Sequence, residues 1–163
     1  MSLLVKTKTA IDDCKIALKY FDKEPAESEF RLTLILCLTL VRAIGNIIES
    51  EVKSNETMHK KNKEMFNEIK NNSLFLNFIC NFRNLVLKEY CSSVSWASIT
   101  ACDTKEHRME YLIKNGEFAG NDIRDLIKES IEFWEKYVEE LEKITLVDNT
   151  ILLEENLLRI KAI

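Results

Sequence analysis

Three glycines and one proline in 163 residues leave this chain with few of the residues that close tight turns, which argues against a fold built from many hairpins. Concentrated positive charge is missing too. With 27 acidic against 23 basic residues the formal net charge is −4, which argues against a duplex-DNA binder with a broad cationic face. Long apolar runs are also lacking. The most apolar stretch, Leu32 to Val41, is bounded by Arg31 and Arg42 and falls short of the roughly 20 residues a membrane span needs, so it reads as a core helix. None of the glycines belongs to a phosphate-cradling loop, and nucleotide binding of that kind is excluded. The five cysteines, Cys14, Cys37, Cys80, Cys91 and Cys102, are odd in number and scattered, and Cys91, Cys102 and His107 supply no closely spaced ligand pair. Reduced thiols in a cytoplasmic protein are expected, without a metal, a cofactor or a secretory leader.

What is present is helical period. At 46% hydrophobic and 31% charged the composition is that of a folded globule. The expectation is an all-α fold: one domain over 1–163, an antiparallel bundle of five to six helices. Leu4, Ile11, Cys14, Leu18 and Phe21 mark a first helix, and Phe30, Leu34, Cys37, Leu38, Val41, Ile44 and Ile48 a long second one after Pro25. Gly45 inside the second helix implies that a neighbouring element packs closely there. A third helix spans Thr57 to Lys70, and a fourth spans Leu74 to Tyr90 after the capping run Asn71-Asn72-Ser73. A brief helix over 104–114 and a strong one from Asn121 to Ile144, with Asn121 as cap, are predicted next. Two stretches stay open. Residues 91–103 read as irregular or as part of a short β-hairpin, and 145–152 as a hairpin or, preferably, a turn at Asp148-Asn149 before a last helix.

Charge is uneven. From Thr104 onward nine basic against fourteen acidic residues give −5, and the preceding part carries +1, so an anionic ligand should prefer the N-terminal two thirds. The densest positive run, His59-Lys60-Lys61-Asn62-Lys63, is either a solvated helix face or an RNA-phosphate patch made by Lys60, Lys61 and Lys63. In the fourth helix, polar groups interrupt an apolar pattern at Arg83, Asn84 and Lys88, with Tyr90 at the end. These four make a candidate polar groove for a phosphate, a carboxylate or a second subunit, and Glu49 or Glu51 is the candidate counter-ion for Arg83. His59 and His107 have no partner visible in the sequence.

A long apolar helix with a polar end, followed by a helix bearing Arg83-Asn84, a short apolar stretch and another polar end, resembles the HEPN superfamily over roughly Glu27 to Tyr90. The resemblance implies a small up-and-down α-helical bundle, often a homodimer. Many such proteins are metal-independent ribonucleases of toxin–antitoxin and antiviral systems, whose motif places His four to six residues after Arg and a polar residue. Here those positions hold Lys88, Glu89 and Tyr90. Arg stabilises phosphate charge but does not take the proton of a 2′-hydroxyl, so the missing His points to a binding or regulatory member. A helical adaptor for a protein partner, and a nuclease using Arg83 with Lys88 or Tyr90, are the alternatives.

Overall fold

Apolar residues at three- and four-residue steps set the first helices. The computed structural model describes residues 4–23, 26–100 and 107–161; Pro25, Cys102 and the 101–103 end of the irregular stretch lie outside them. The elements are α1 (Val5–Phe21), α2 (Glu27–Val52), α3 (Glu56–Ile69), a π-helical segment (Leu74–Phe82) running directly into α4 (Arg83–Glu89), β1 (Val94–Thr100), β2 (His107–Ile113) and α5 (Ile123–Lys161). The fold is mostly helical, with one small antiparallel sheet.

One side of α2 forms the centre of the core. Phe30, Leu34, Cys37, Leu38, Val41, Ile44, Ile48 and Val52 are all buried there, against Ile11, Cys14 and Phe21 of α1 and Ile127, Ile131, Trp134 and Leu141 of α5. Gly45 lies where α5 comes closest: a Cβ built on it would stand 3.0 Å from Cη2 of Trp134. Phe75, Phe133 and Tyr137 hold that indole, with ring centroids 5.3 to 5.9 Å away. Burial pushes the Cys14 and Cys37 thiols up to about 12, which keeps them protonated and inert.

Helix ends are closed by residues near and far. Asn55 accepts from the Met58 N–H and Asn72 from the Phe75 N–H, each at 3.1 Å. At the start of α1 the cap comes from another helix. The Glu51 carboxylate accepts from the backbone of Lys6 and Thr7 and from the Thr7 hydroxyl, at 2.8 to 2.9 Å.

Three sequence expectations need correction. Residues from His107 do not continue a helix begun at 104; they form β2, paired with β1 so that Val94 faces Ile113 and Trp96 faces Tyr111. The reason is packing at period two. Tyr111 and Ile113 point inward, and Tyr111 stacks on Phe30 at 4.7 Å and meets Phe21 at 5.1 Å, so the hairpin closes one end of the bundle. The tail makes neither a turn at Asp148-Asn149 nor a hairpin over 145–152, because α5 runs unbroken to Lys161. No Gly or Pro follows Gly120 to interrupt it. The cap of α5 is Asp122, not Asn121: its Oδ1 accepts from the Arg124 N–H at 2.9 Å.

Candidate functional site

The polar residues picked out on α4 lie on its outer side. Arg83 is half-buried, and its Nη1 donates to Oδ1 of Asn84 at 2.9 Å. Its buried Nε has no described partner. Lys88, four residues beyond Asn84, is exposed on the same helix face. Tyr90 lies past the helix end, exposed, in the left-handed region at φ 49°, and Cys91 follows at φ 67°. Two consecutive non-glycine residues there carry strain of about 1–3 kcal/mol each. They are held because the Cys91 N–H reaches the Val86 carbonyl at 3.0 Å and its thiol packs against the Arg31 carbonyl at 4.0 Å. The C-terminal end of α4 therefore lies against the first turns of α2.

Neither expected counter-ion serves Arg83. Glu51 is the cap of α1, and although burial alone would raise its carboxyl, the Lys6 and Thr7 hydrogen bonds bring it below the usual range. Glu49 accepts from Nδ2 of Asn62 at 2.9 Å and stands 3.7 Å from Nδ1 of His59. Asn62 in turn receives the Tyr137 hydroxyl at 2.9 Å, so Glu49 belongs to a partly buried polar network joining α2, α3 and α5. Asn62 also splits the basic run. Lys60 and Lys63 are exposed on one flank, whereas Lys61 lies on the other and pairs with Glu64 at 3.4 Å.

Three features were not legible as sites. Asp122 and Arg124, each 8% exposed, form a pair at 2.7 Å; Arg124 also donates to the Met109 carbonyl at 2.6 Å and lies 5.0 Å over the Tyr111 ring. Burial would raise the Asp122 carboxyl, but the Arg124 hydrogen bonds overcome that and hold it below its ordinary value. The second feature is an open cleft of about 460 Å³ between the π segment and the β2–α5 loop, with Asn77, Asn81, Asn115 and Glu117 on its rim and Phe82 and Phe118 in its wall. The third is the outer side of α2. Leu32 is 66% exposed and Leu36 48%, and both line a groove with Tyr20 of α1, itself 59% exposed. By length and hydropathy Ser28–Val52 would suffice to cross a membrane, yet its opposite side is the core described above, a property it shares with core helices.

Among the described residues, no group of three or more His, Cys, Asp and Glu side chains is placed to hold a metal ion. No protein-family model, curated protein or solved structure matches the chain.

Proposed function

We propose that this chain is a HEPN-like binding or regulatory module that acts as a homodimer, closed through the outer side of α2, and that it does not cleave RNA. The observation that carries the reading is the second apolar side of α2. A helix apolar on both sides belongs inside a fold or an assembly, and Leu32 and Leu36 stand exposed among the described residues. The exposed apolar part of this side is Leu32 and Leu36, with Thr39, Asn46 and Ser50 exposed further along, so an interface burying the ~800 Å² per partner of a stable complex draws on the surface around it. Tyr20 on one border, with Leu87 and Tyr90 at the α4 end that meets Arg31, extends the surface. A second copy is the fitting occupant because a two-fold interface needs only one such strip, repeated.

Arg83 and Leu87, four apart on α4, share a helix face, so closure over Leu87 brings two copies of Arg83 toward one another beside Asn84 and Lys88. That doubled cationic margin suits an anionic ligand such as single-stranded RNA, without a histidine to cut it. By the resemblance, the module belongs to a defence or toxin–antitoxin pair in the cytoplasm.

Light scattering on the wild type and on Leu36→Glu tests the interface, and RNA anisotropy titrations at two salt concentrations on the wild type and on Arg83→Ala test the margin. The expected result is a dimer that Leu36→Glu converts to a folded monomer, with salt-sensitive RNA binding lost in Arg83→Ala. A wild type that is monomeric at high micromolar concentration sinks the dimer; cleavage of the RNA by the wild type restores the nuclease alternative.

A further inference from the structure

The cleft beside the π segment carries chemistry opposite to that of Arg83. Glu117, on the loop after β2, receives the Ser73 hydroxyl on one carboxylate oxygen and the Asn77 amide on the other, each at 2.6 Å. A carboxylate only accepts, so Asn77 must turn its Nδ2 toward Glu117 and its Oδ1 away. That Oδ1 faces Nδ2 of the exposed Asn81 in a long contact of 3.4 Å, which turns the Asn81 Oδ1 away from Asn77. The relay ends on Oδ1 of Asn81, which has no donor among the described contacts. Each amide keeps a second N–H, and the row also offers acceptors, Oδ1 of Asn81 and the remaining lone pairs of the Glu117 carboxylate, which is its charged group.

Three further observations narrow the ligand. Glu117 is the one charged residue lining the cleft, with neither Lys nor Arg beside it. The Ser73 and Asn77 hydrogen bonds hold its carboxyl below the usual range, so it is ionised at neutral pH. Phe118, half-buried, gives the wall apolar area and is anchored edge-on to Phe78 at 5.9 Å, while Phe82 beside it is buried and stacked on Phe78 at 5.5 Å. Gly116, at φ 93°, and Gly120, at φ 84°, let the loop turn so as to present Glu117 to the helix.

We propose that this cleft is a binding site for a small organic cation of amidinium or guanidinium type, its N–H donors meeting Glu117 and Asn81 and its flat body lying along Phe118. A planar cation pairs with a carboxylate through two parallel hydrogen bonds and lies well on aromatic surface. An anion would meet the ionised Glu117 carboxylate with no cation beside it to offset the repulsion. The inference uses none of the residues that carry self-association, and it stands or falls separately from the dimer.

The test is a calorimetric and ¹⁵N NMR titration of the full chain with benzamidine, neutral benzamide and anionic benzoate. Benzamidine is expected to move the amide signals of Asn81, Glu117 and Phe118, to bind about tenfold or more tightly than benzamide, and to leave benzoate without measurable binding. Glu117→Gln should weaken benzamidine about tenfold or more, with signals remote from the cleft unchanged. Since Glu117→Gln also loosens the contacts to Ser73 and Asn77, Asn81→Asp supplies a gain: a second carboxylate at an exposed position should tighten benzamidine several-fold. Equal binding of benzamide, preference for benzoate, shifts confined to other surfaces, or an Asn81→Asp variant that binds no better than wild type would each overturn the proposal.

Discussion

Removing the Asp122 carboxylate should be far more damaging than removing its partner. In the wild type Asp122 accepts from the Arg124 N–H, Nε and Nη2 and from the Tyr111 N–H, which joins β2 to the first turn of α5. Asp122→Ala strands a guanidinium that is 8% exposed, and breaking a buried pair from one side costs about 3–5 kcal/mol. Loss of the helix cap adds about 1 kcal/mol. Arg124 keeps its bond to the Met109 carbonyl and its place over Tyr111, so the lower end applies, a net loss of about 4 kcal/mol. Arg124→Met is different. The carboxylate would still accept from two backbone N–H groups, and an apolar side chain of similar length would fill the space, so the loss should be about 1–2 kcal/mol. The double variant should then fall below the sum of the singles by more than about 1 kcal/mol, the signature of direct coupling. Urea unfolding followed by circular dichroism and by tryptophan fluorescence measures all four corners. Against a total of about 5–15 kcal/mol the difference is easily resolved. Equal losses in the two single variants, or strict additivity, would refute the reasoning.

Gly45→Ala gains about 1 kcal/mol of helix propensity, yet its Cβ would meet a Trp134 ring held on three sides. Net destabilisation of about 1 kcal/mol is expected, and a rise in melting temperature would show that the indole can yield. Glu51→Ala should lose about 1–2 kcal/mol by uncapping α1, with hydrogen-exchange protection falling first at Lys6 and Thr7; unchanged exchange there would remove Glu51 from that role. Asp122 and Glu51 both have folded-state carboxyls below their ordinary values, so their stabilisation is complete above the unfolded-state values and is lost as pH falls through the folded ones. Stability should be flat from pH 7 to about 5 and drop below about pH 4, less steeply in Asp122→Ala than in the wild type.

Helix phase was legible because it needs only neighbours in the chain. The apolar stripes of α2 and α5, the caps around Asn72 and the close approach at Gly45 all follow from local spacing, and so does the adjacency that lets Arg83 bond Asn84. Where local period was weak, distant contacts decided. Met109, Tyr111 and Ile113 alternate with Arg108, Glu110 and Leu112, but over seven residues that signal competes poorly with helix-compatible composition until Phe30 and Phe21 supply the surface Tyr111 stacks on. Carboxylates were the hardest to place. Glu49 and Glu51 look like free partners for any cation, and only the packing of helices gives one to Asn62 on the next helix and the other to α1, 44 residues back in the chain. The Glu117 relay spans 40 residues between Asn77 and its acceptor. By itself the sequence determined which sides of the helices are apolar, because side-chain direction follows from helical period. Which of those sides are covered, and which polar groups meet, was decided by tertiary structure alone, because burial and hydrogen bonding depend on what the rest of the chain brings alongside.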